Sequence, residues 1–539
     1  MKLTPSKVGV SVCAAGLLSF GLHTAMSSLP TAAELDPVAR AAEPKSPPPQ
    51  QAGTASKQPG KPVRKVPPPQ YRSVAIQDVP HVMQKPDFCG EACAAMYLTK
   101  LGHRINQDDV FIQAGIDPVL GRGCYTRDLQ TALTRIGLNL GPVWHRVTAD
   151  DADVELESHF RAMHADLVAG LPSIVCTHYD DKPETTEHFR LILGYDAKTD
   201  EVLYHEPAVA RGAYRRMARE QMLKLWPLKY EEDRWTVVRF RLAPGVIRDV
   251  HSTVKFDNAD YAQHVMRVKS KTPEGFTIVL QKPFVVIGDE SPADVRGWAA
   301  GTVKWAADRL KREYFAQDPN DILDVWLFKD KESYDRHTEE IFGDRPHTPF
   351  GYFSHKHRAL IMNIETGGGT LVHEIVHPFI ASNFPECPAW FNEGLASLYE
   401  QCRDNRGRIW GLTNWRLEGL QKAIKAEDAE PEGEGEKEGE GQEPAEIPEL
   451  TSFKTLCNTT TFQFYEMDPG TNYSQARYLC YYLQRRGLLN KYYHQFRRNV
   501  RNDPSGYETL KAVLEIKDDA HMEKFQEVWE DWILKLRFP

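Results

Sequence analysis

Hydrophobic and polar positions follow regular spacings in two long stretches of the chain. In the first, from residue 71 to about 244, apolar residues recur at helical spacing over 91–101 and 126–136. Apolar runs typical of strands lie at 172–176, 189–195, 201–204 and 236–242. The pattern therefore predicts a domain of helices and strands over residues 71–245.

A second stretch begins near residue 250 and has the same mixed character. A long amphipathic helix is predicted over residues 293–314, and residues 474–536 are rich in helical spacing. Strands are predicted at 276–280, 284–287, 324–328 and 359–364. Residues 250–539 are thus predicted to form a second domain of helices and strands, with a helical C-terminal part. The expected fold class is α+β.

The N-terminal seventy residues show neither pattern. Lys2 and Lys7 precede a mildly apolar stretch over 8–22, which is typical of an export signal or an uncleaved signal anchor within residues 1–30. Residues 31–70 read as a linker, because nine prolines fall within the 28 residues from 43 to 70. We expect an exported protein, periplasmic, at the cell surface or extracellular, with any membrane contact confined to this anchor.

Composition and charge narrow the class of protein. Of the 539 residues, 41% are hydrophobic and 26% are charged, which indicates a globular chain rather than a disordered one. The formal net charge is −9, and the segment 427–449 alone carries eleven carboxylates and one lysine. That segment is predicted to be an acidic disordered insert, and the rest is close to neutral. The sequence shows no basic face, so nucleic-acid binding is not expected.

Four residues in the first domain have the types and order of a site for nucleophilic catalysis by a cysteine. Cys89 precedes a helical pattern, so the helix dipole should lower its pKa and its backbone N–H should face a developing oxyanion. Gln84, five residues earlier, can supply a second donor. His188 stands before a strand, and Glu206 follows the next strand. This order predicts a thiolate nucleophile, its base and an orienting acid.

These residues resemble the bacteriocin-processing cysteine peptidases, which have a papain-like fold. The similarity lies in Gln-x4-Cys-Gly-x-x-Cys, then His-Phe-x4-Gly-Tyr-Asp, then an acid before proline, within about residues 73–242. It implies that Cys89 is the nucleophile, His188 the base, Gln84 the oxyanion-hole donor and Glu206 the orienting acid. The family has Asp rather than Glu before the proline. Asp196 is therefore the second candidate for the orienting acid.

Three alternatives remain for the cysteine site. Cys89 could be a buried structural thiol, or it could form a disulfide with Cys93, four positions along the same helix. A domain of this fold could also bind peptides without cleaving them.

The second domain contains a candidate zinc site. His373 and His377 stand at i and i+4 in a predicted helix, so both can bind one Zn²⁺, with Glu374 beside them as a base. Glu393, on a second helical pattern, is the predicted third ligand, and Pro378 is expected to disturb the first helix.

This arrangement resembles the gluzincin metallopeptidases, in which two histidines and a downstream glutamate hold zinc. The similarity rests on His-Glu-Ile-Val-His and on Asn-Glu-Gly-x-Ala, and it covers roughly residues 324–401. It implies that an edge strand before the zinc helix binds substrate, and residues 359–364 match by position. It also implies a downstream Tyr or His that stabilises the transition state, for which Tyr473 is the candidate.

Together the motifs predict an exported peptidase with a zinc-dependent domain and a cysteine-peptidase-type domain. The expected partner is a peptide or protein substrate. In the main alternative, the first domain only presents peptides to the zinc site, or both domains are catalytically silent adaptors. A further alternative keeps the cysteine chemistry but makes it acyl transfer.

Overall fold

A computed structural model describes residues 71–427, 450–467 and 469–539. The predicted export signal, the Pro-rich linker and all but the first residue of the acidic insert lie outside these ranges. Within them, every helix is too short or too polar to cross a membrane. The described residues all belong to one compact unit.

The first part of the chain is built on a seven-stranded antiparallel sheet. Its strands are β1 (Val74–Ala75), β3 (Trp144–Thr148), β4 (Ser173–His178), β5 (Glu187–Asp196), β6 (Glu201–His205), β7 (Arg215–Ala218) and β8 (Arg234–Arg241). They lie in the order β3-β8-β4-β5-β6-β7, and β1 pairs with β5. A separate short pair joins β2 (Leu138–Asn139) to β9 (Ala243–Pro244).

Helices cover both faces of this sheet. They are α1 (Cys89–Lys100), α2 (Gln107–Ala114), α3 (Thr126–Ile136), α4 (Ala152–Val168) and α5 (Arg219–Leu225). Because side chains alternate along a strand, Leu191 and Leu193 of β5 pack into the core with α1–α3, whereas Ile192 packs into the core with α4. The predicted helices and strands of this part are confirmed, with shifts of at most two residues at their ends.

The second part contains a five-stranded sheet in the order β10-β11-β12-β14-β13. Its strands are β10 (Thr277–Gln281), β11 (Phe284–Gly288), β12 (Leu323–Phe328), β13 (Gly351–Ser354) and β14 (Ala359–Asn363). β14 is parallel to β12 and antiparallel to β13, so it lies inside the sheet. The expectation that residues 359–364 form the edge strand is therefore wrong. The edge position belongs to β13, which the sequence pattern did not reveal because it has only four residues.

The helices of the second part pack around this sheet and extend beyond it, together with the hairpin of β15 (Cys402–Asn405) and β16 (Arg408–Gly411). They are α6 (Asn258–Lys269), α7 (Pro292–Trp298), α8 (Trp305–Glu313), α9 (Lys331–Phe342), α10 (Gly368–Asn383), α11 (Ala389–Leu398), α12 (Arg416–Glu427), α13 (Phe453–Cys457), α14 (Thr461–Glu466), α15 (Pro469–Arg485), α16 (Leu489–Asn499), α17 (Tyr507–Leu514) and α18 (Asp519–Leu534). The helical C-terminal part is thus confirmed. The predicted helix at 293–314 is α7 and α8, joined by a π-helical stretch over Ala299–Lys304.

Two helices of the second part, α10 and α6, have features that the sequence pattern did not predict. α10 runs five residues past Pro378, because the buried Phe379 and Ile380 hold its last turn in the core. The helix α6 is shared between the two parts: Ala259 and Ala262 belong to the core around α1–α3, whereas Val265 packs against the second sheet.

Candidate active sites

Cys89 is the first residue of α1, as its predicted role requires. Its environment, however, differs from the expectation of a thiolate. Burial raises the pKa of the Cys89 thiol to about 12, although a backbone hydrogen bond from Phe189 acts in the opposite direction. The helix dipole is therefore outweighed by loss of solvent, and the resting thiol is protonated.

His188 and Glu206 are brought together at one end of the sheet. Nε2 of His188 lies 2.5 Å from Oε1 of Glu206, and both side chains are buried. Burial raises the pKa of Glu206, but the hydrogen bond from His188 and the charges of His188 and Arg190 hold it below its usual value. An ionised carboxylate only accepts hydrogen bonds, so the proton of the neutral imidazole lies on Nε2. This leaves Nδ1 as the basic nitrogen.

The Cys89 thiol lies next to the residue that follows His188 in the chain. The backbone of Phe189, the residue after His188, contacts the Cys89 thiol. Among the described residues, no hydrogen bond joins Cys89 to His188. Hydrogen bonds at catalytic sites are often long in the free enzyme and tighten when substrate binds.

The other residues of the predicted site take different places. The backbone N–H of Gln84 donates to Pro207 O at 2.9 Å, which places Gln84 beside the loop that carries Glu206. Its side-chain Oε1 is buried and has no hydrogen-bond partner among the described residues. Asp196 pairs with Arg216 in the turn at the far end of β5, so it is not the third member. Cys89 and Cys93 are both free thiols, so the disulfide alternative is not realised.

The three predicted zinc ligands converge on one point. α10 presents His373 and His377 on one face, and α11 presents Glu393 opposite them. Nε2 of His373 lies 3.2 Å from Oε2 of Glu393, and Nε2 of His377 lies 3.9 Å from the same oxygen. The three donor atoms are within 4.8 Å of one another. They border a cavity of about 410 Å³.

The donor set fits a zinc ion. Oε2 of Glu393 is buried and has no hydrogen-bond partner among the described residues, as expected of an atom that serves a cation. Its other oxygen accepts a hydrogen bond from Tyr465 at 2.6 Å. Nδ1 of His377 lies 3.1 Å from Oδ1 of Asn392, so its Nε2 is free to bind metal. Two imidazoles and one carboxylate leave a fourth position open, as in catalytic zinc sites.

Glu374 lies at the same cavity as the candidate ligands. Its Oε2 is 3.8 Å from Nε2 of His377 and accepts a hydrogen bond from the backbone N–H of Phe353 at 3.1 Å. Phe353 belongs to the edge strand β13, so the outer side of that strand borders the cavity. The predicted base therefore stands between the ligands and a strand edge that could pair with an extended peptide.

Two tyrosines line this cavity, and only Tyr473 was predicted from the sequence. Tyr473, the predicted stabilising residue, is there, and so is Tyr465, whose hydroxyl contacts Glu393. Burial raises the pKa of both hydroxyls well above the usual value, so both remain hydrogen-bond donors at physiological pH. Tyr465 carried no signal of its own, because α14 is short and follows the acidic insert.

Gly394, next to the predicted third ligand Glu393, allows two helices to approach closely. A Cβ atom at this position would lie 2.9 Å from the backbone oxygen of Ala476 in α15. Only glycine fits such a contact between helix backbones. The glycine of the Asn-Glu-Gly motif thus sets the position of Glu393 against α15.

Residues 76–233 match the model of the Peptidase_C39 like family. The first part of the chain carries a Peptidase_C39-like domain. This agrees with the resemblance to bacteriocin-processing peptidases and supports a cysteine-peptidase-like function. The match covers less than a third of the chain. No curated protein matches the chain. The resemblance of the second part to the gluzincins remains a prediction.

Proposed function

We propose that the protein is an exported peptidase with two sites, a zinc site in a zincin-like second domain and a cysteine site in the Peptidase_C39-like domain. The observation that carries the zinc assignment is the convergence of His373, His377 and Glu393, in which one carboxylate oxygen of Glu393 faces both imidazoles. Export rests on the N-terminal pattern of lysines and apolar residues alone.

At the zinc site, the chain supplies a base and a surface for the substrate. His373, His377 and Glu393 would hold the zinc ion, which would supply Lewis acidity to water and to the peptide carbonyl. Glu374 takes the proton of the attacking water and later donates it to the leaving amine. The free edge of β13 pairs with the extended backbone of the substrate, and Tyr473 donates a hydrogen bond to the developing oxyanion.

At the cysteine site, the protonated thiol makes His188 a general base. Nδ1 of His188 takes the proton of Cys89 as the sulfur attacks the peptide carbonyl, and then donates it to the amine as the carbon–nitrogen bond breaks. Water hydrolyses the resulting thioester, which releases the acid and restores the thiol. Glu206 holds the imidazole through Nε2 and stabilises its positive charge. The backbone N–H of Cys89 and the side-chain amide of Gln84 would bind the oxyanion.

Metal content and cleavage products of three purified full-length proteins test the proposal. The wild type should hold about one zinc per chain. The Glu374→Gln variant should keep the metal and lose the chelator-sensitive cleavage of a fluorescent peptide library. The Cys89→Ala variant should keep that activity and lose only cleavage that iodoacetamide blocks. If wild-type protein that has been incubated with zinc retains none after purification, the zinc assignment is overturned.

The same experiment addresses the substrate-presenting alternative. If the first domain only binds peptides, Cys89→Ala and iodoacetamide leave every cleavage rate unchanged, although deletion of that domain raises KM at the zinc site. An amide product that forms only when an added amine is present would instead indicate acyl transfer at Cys89.

A further inference from the structure

Arg190 is a buried arginine of β5 that has no role in the reaction as described above. Its side chain is 4% exposed, although arginine is rarely buried without a partner. Nε donates to Oε2 of Glu206 at 2.9 Å, and Nη2 donates to Tyr179 O at 2.7 Å. Nη1 donates to Oγ1 of Thr177 and, at 3.1 Å, to His178 O. The guanidinium therefore joins the end of β4 to the acid of the cysteine site.

The two oxygens of Glu206 have different partners. Oε1 accepts from His188 and from the backbone N–H of Ala208 at 3.1 Å, whereas Oε2 accepts from Arg190. We propose that Arg190 is a positioning residue of the cysteine site, which fixes the Glu206 carboxylate so that its other oxygen meets Nε2 of His188. The proposal rests on the proposed cysteine peptidase function.

The need for such a residue follows from the length of the acid. Glutamate has one more rotatable bond than the aspartate of the bacteriocin-processing peptidases, so its carboxylate can take more positions relative to the histidine. The planar guanidinium accepts only a narrow range of carboxylate orientations. Holding one oxygen of Glu206 removes the additional freedom, and the longer side chain can then orient His188 as aspartate does.

Arg190 also acts on His188 from a second side. The carbonyl that Nη2 binds belongs to Tyr179, whose ring packs edge-on against the imidazole with centroids 5.1 Å apart. The hydrogen bond to the Tyr179 backbone thus fixes the residue that packs against the base. Loss of Arg190 should loosen both contacts of His188 together.

The chain offers a matched control on the neighbouring strand. Arg239 of β8 is also buried, and both arginines lie opposite Val175 in the register of the sheet, one on each side. Arg239 donates to Ser173 at 3.0 Å and pairs with Asp166, away from the cysteine site. Arg190→Met removes one partner of the buried Glu206, and Arg239→Met removes one partner of the half-buried Asp166, which keeps Arg241, so both changes should lower the melting temperature.

The kinetic test is a double-mutant cycle on the full chain in a Glu374→Gln background, with a fluorescent peptide whose cleavage depends on Cys89. Arg190→Met should lower kcat by about 10- to 100-fold with little change in KM, as loss of a positioning contact does. Combined with Glu206→Gln, it should add no further loss, because Arg190 acts through Glu206. Arg239→Met should change kcat by less than about threefold, and in the double variant this small factor should multiply the loss in kcat caused by Glu206→Gln.

A second measurement does not depend on catalysis. Nitrogen chemical shifts of His188 in histidine-labelled protein, assigned with His188→Gln, report which ring nitrogen carries the proton. The wild type and Arg239→Met should show the Nε2–H form, and Arg190→Met should show a mixture with Nδ1–H. If Arg190→Met does not fold, Arg190→Lys, which keeps the charge but not the fork, should show the same mixture to a smaller extent.

The outcomes separate the two proposals. Cleavage that is unchanged by Cys89→Ala overturns the cysteine peptidase function, and the tautomer of His188 still tests the positioning role. Where cleavage does depend on Cys89, kcat losses for Arg190→Met and Glu206→Gln that multiply would overturn the role of Arg190. An unchanged His188 tautomer in a folded Arg190 variant would overturn it as well.

Discussion

Nδ1 of His373 lies 3.4 Å from Oε1 of Glu400, on the side of the imidazole that faces away from Glu393. Glu400 is itself held firmly: Arg416 donates to both of its oxygens, at 2.8 and 3.0 Å, and Asn414 donates to one at 2.9 Å. A carboxylate behind a ligand histidine fixes the ring and increases its basicity. Glu400 is therefore placed to support His373, a proposed zinc ligand, without being a ligand itself.

We expect Glu400→Ala to weaken zinc binding by about 10- to 100-fold, the usual effect of losing such a partner. Glu393→Ala should weaken it more, because it removes a ligand atom. Competition with a fluorescent zinc chelator measures both. Glu386→Ala, which changes an exposed carboxylate in the loop between α10 and α11, is the control. Equal affinities for Glu400→Ala and Glu386→Ala would contradict the supporting role.

Substitutions of the two tyrosines that line the cavity of the proposed zinc site should give different phenotypes. Tyr465→Phe removes the hydrogen bond to Oε1 of Glu393, so it should weaken zinc binding by a few-fold. Tyr473→Phe should leave zinc bound and lower kcat by about 10- to 100-fold, if its hydroxyl binds the oxyanion. Metal titration and steady-state kinetics on the same samples distinguish them. The reverse pattern would exchange the two roles.

Glu91 makes the stability of the first domain depend on pH. It is fully buried in α1, its Oε1 accepts from the backbone N–H of Cys124 at 2.7 Å, and Oε2 has no hydrogen-bond partner among the described residues. Burial raises its pKa from 4.5 to about 7. The folded state thus binds this proton more tightly than the unfolded chain does, so the contribution to stability is complete below pH 4.5 and is lost as the pH rises through 7.

Glu91→Gln should remove this dependence. At pH 8 the ionised Glu91 costs the wild type about 3 kcal/mol relative to pH 4, an order of magnitude set by the raised pKa. Urea unfolding at pH 5 and pH 8 should show the variant gaining stability relative to wild type as the pH rises. Glu220→Gln, an exposed change in α5, should track the wild type at both values. A constant difference between Glu91→Gln and wild type would contradict the assignment.

The sharing of α6 sets the boundaries of stable fragments. Ala259 and Ala262 complete the core around α1–α3, so a fragment of residues 71–245 should expose that core and melt at a lower temperature than residues 71–270. A fragment of residues 250–539 keeps α6 and should still bind zinc. Circular dichroism melts and zinc titration of the three fragments provide the test. Equal melting temperatures for the two N-terminal fragments would place the boundary near residue 250, as the sequence pattern suggested.

The sequence predicted those features whose signals are local. The His-Glu-x-x-His spacing predicts two imidazoles on one face because a helix repeats every 3.6 residues, and α10 has them there. The protonation state of Cys89 was not predictable in this way, because the burial that decides it comes from distant elements packed around α1. The roles of Tyr465, Glu400 and Arg190 were missed for the same reason: each side chain contacts a site residue at least 16 positions away, through contacts that only the folded chain creates.

Because of the close contact at Gly394, the packing of α11 against α15 also determines the position of Glu393. Glu393 reaches its position only when α11 lies against the backbone of α15, about eighty residues further along the chain. Metal affinity and the docking of the C-terminal helices are then thermodynamically linked, so each strengthens the other. Zinc at this site would stabilise the contact between two segments that are distant in the chain. A chelator would therefore lower the stability of the C-terminal helices as well as stop catalysis.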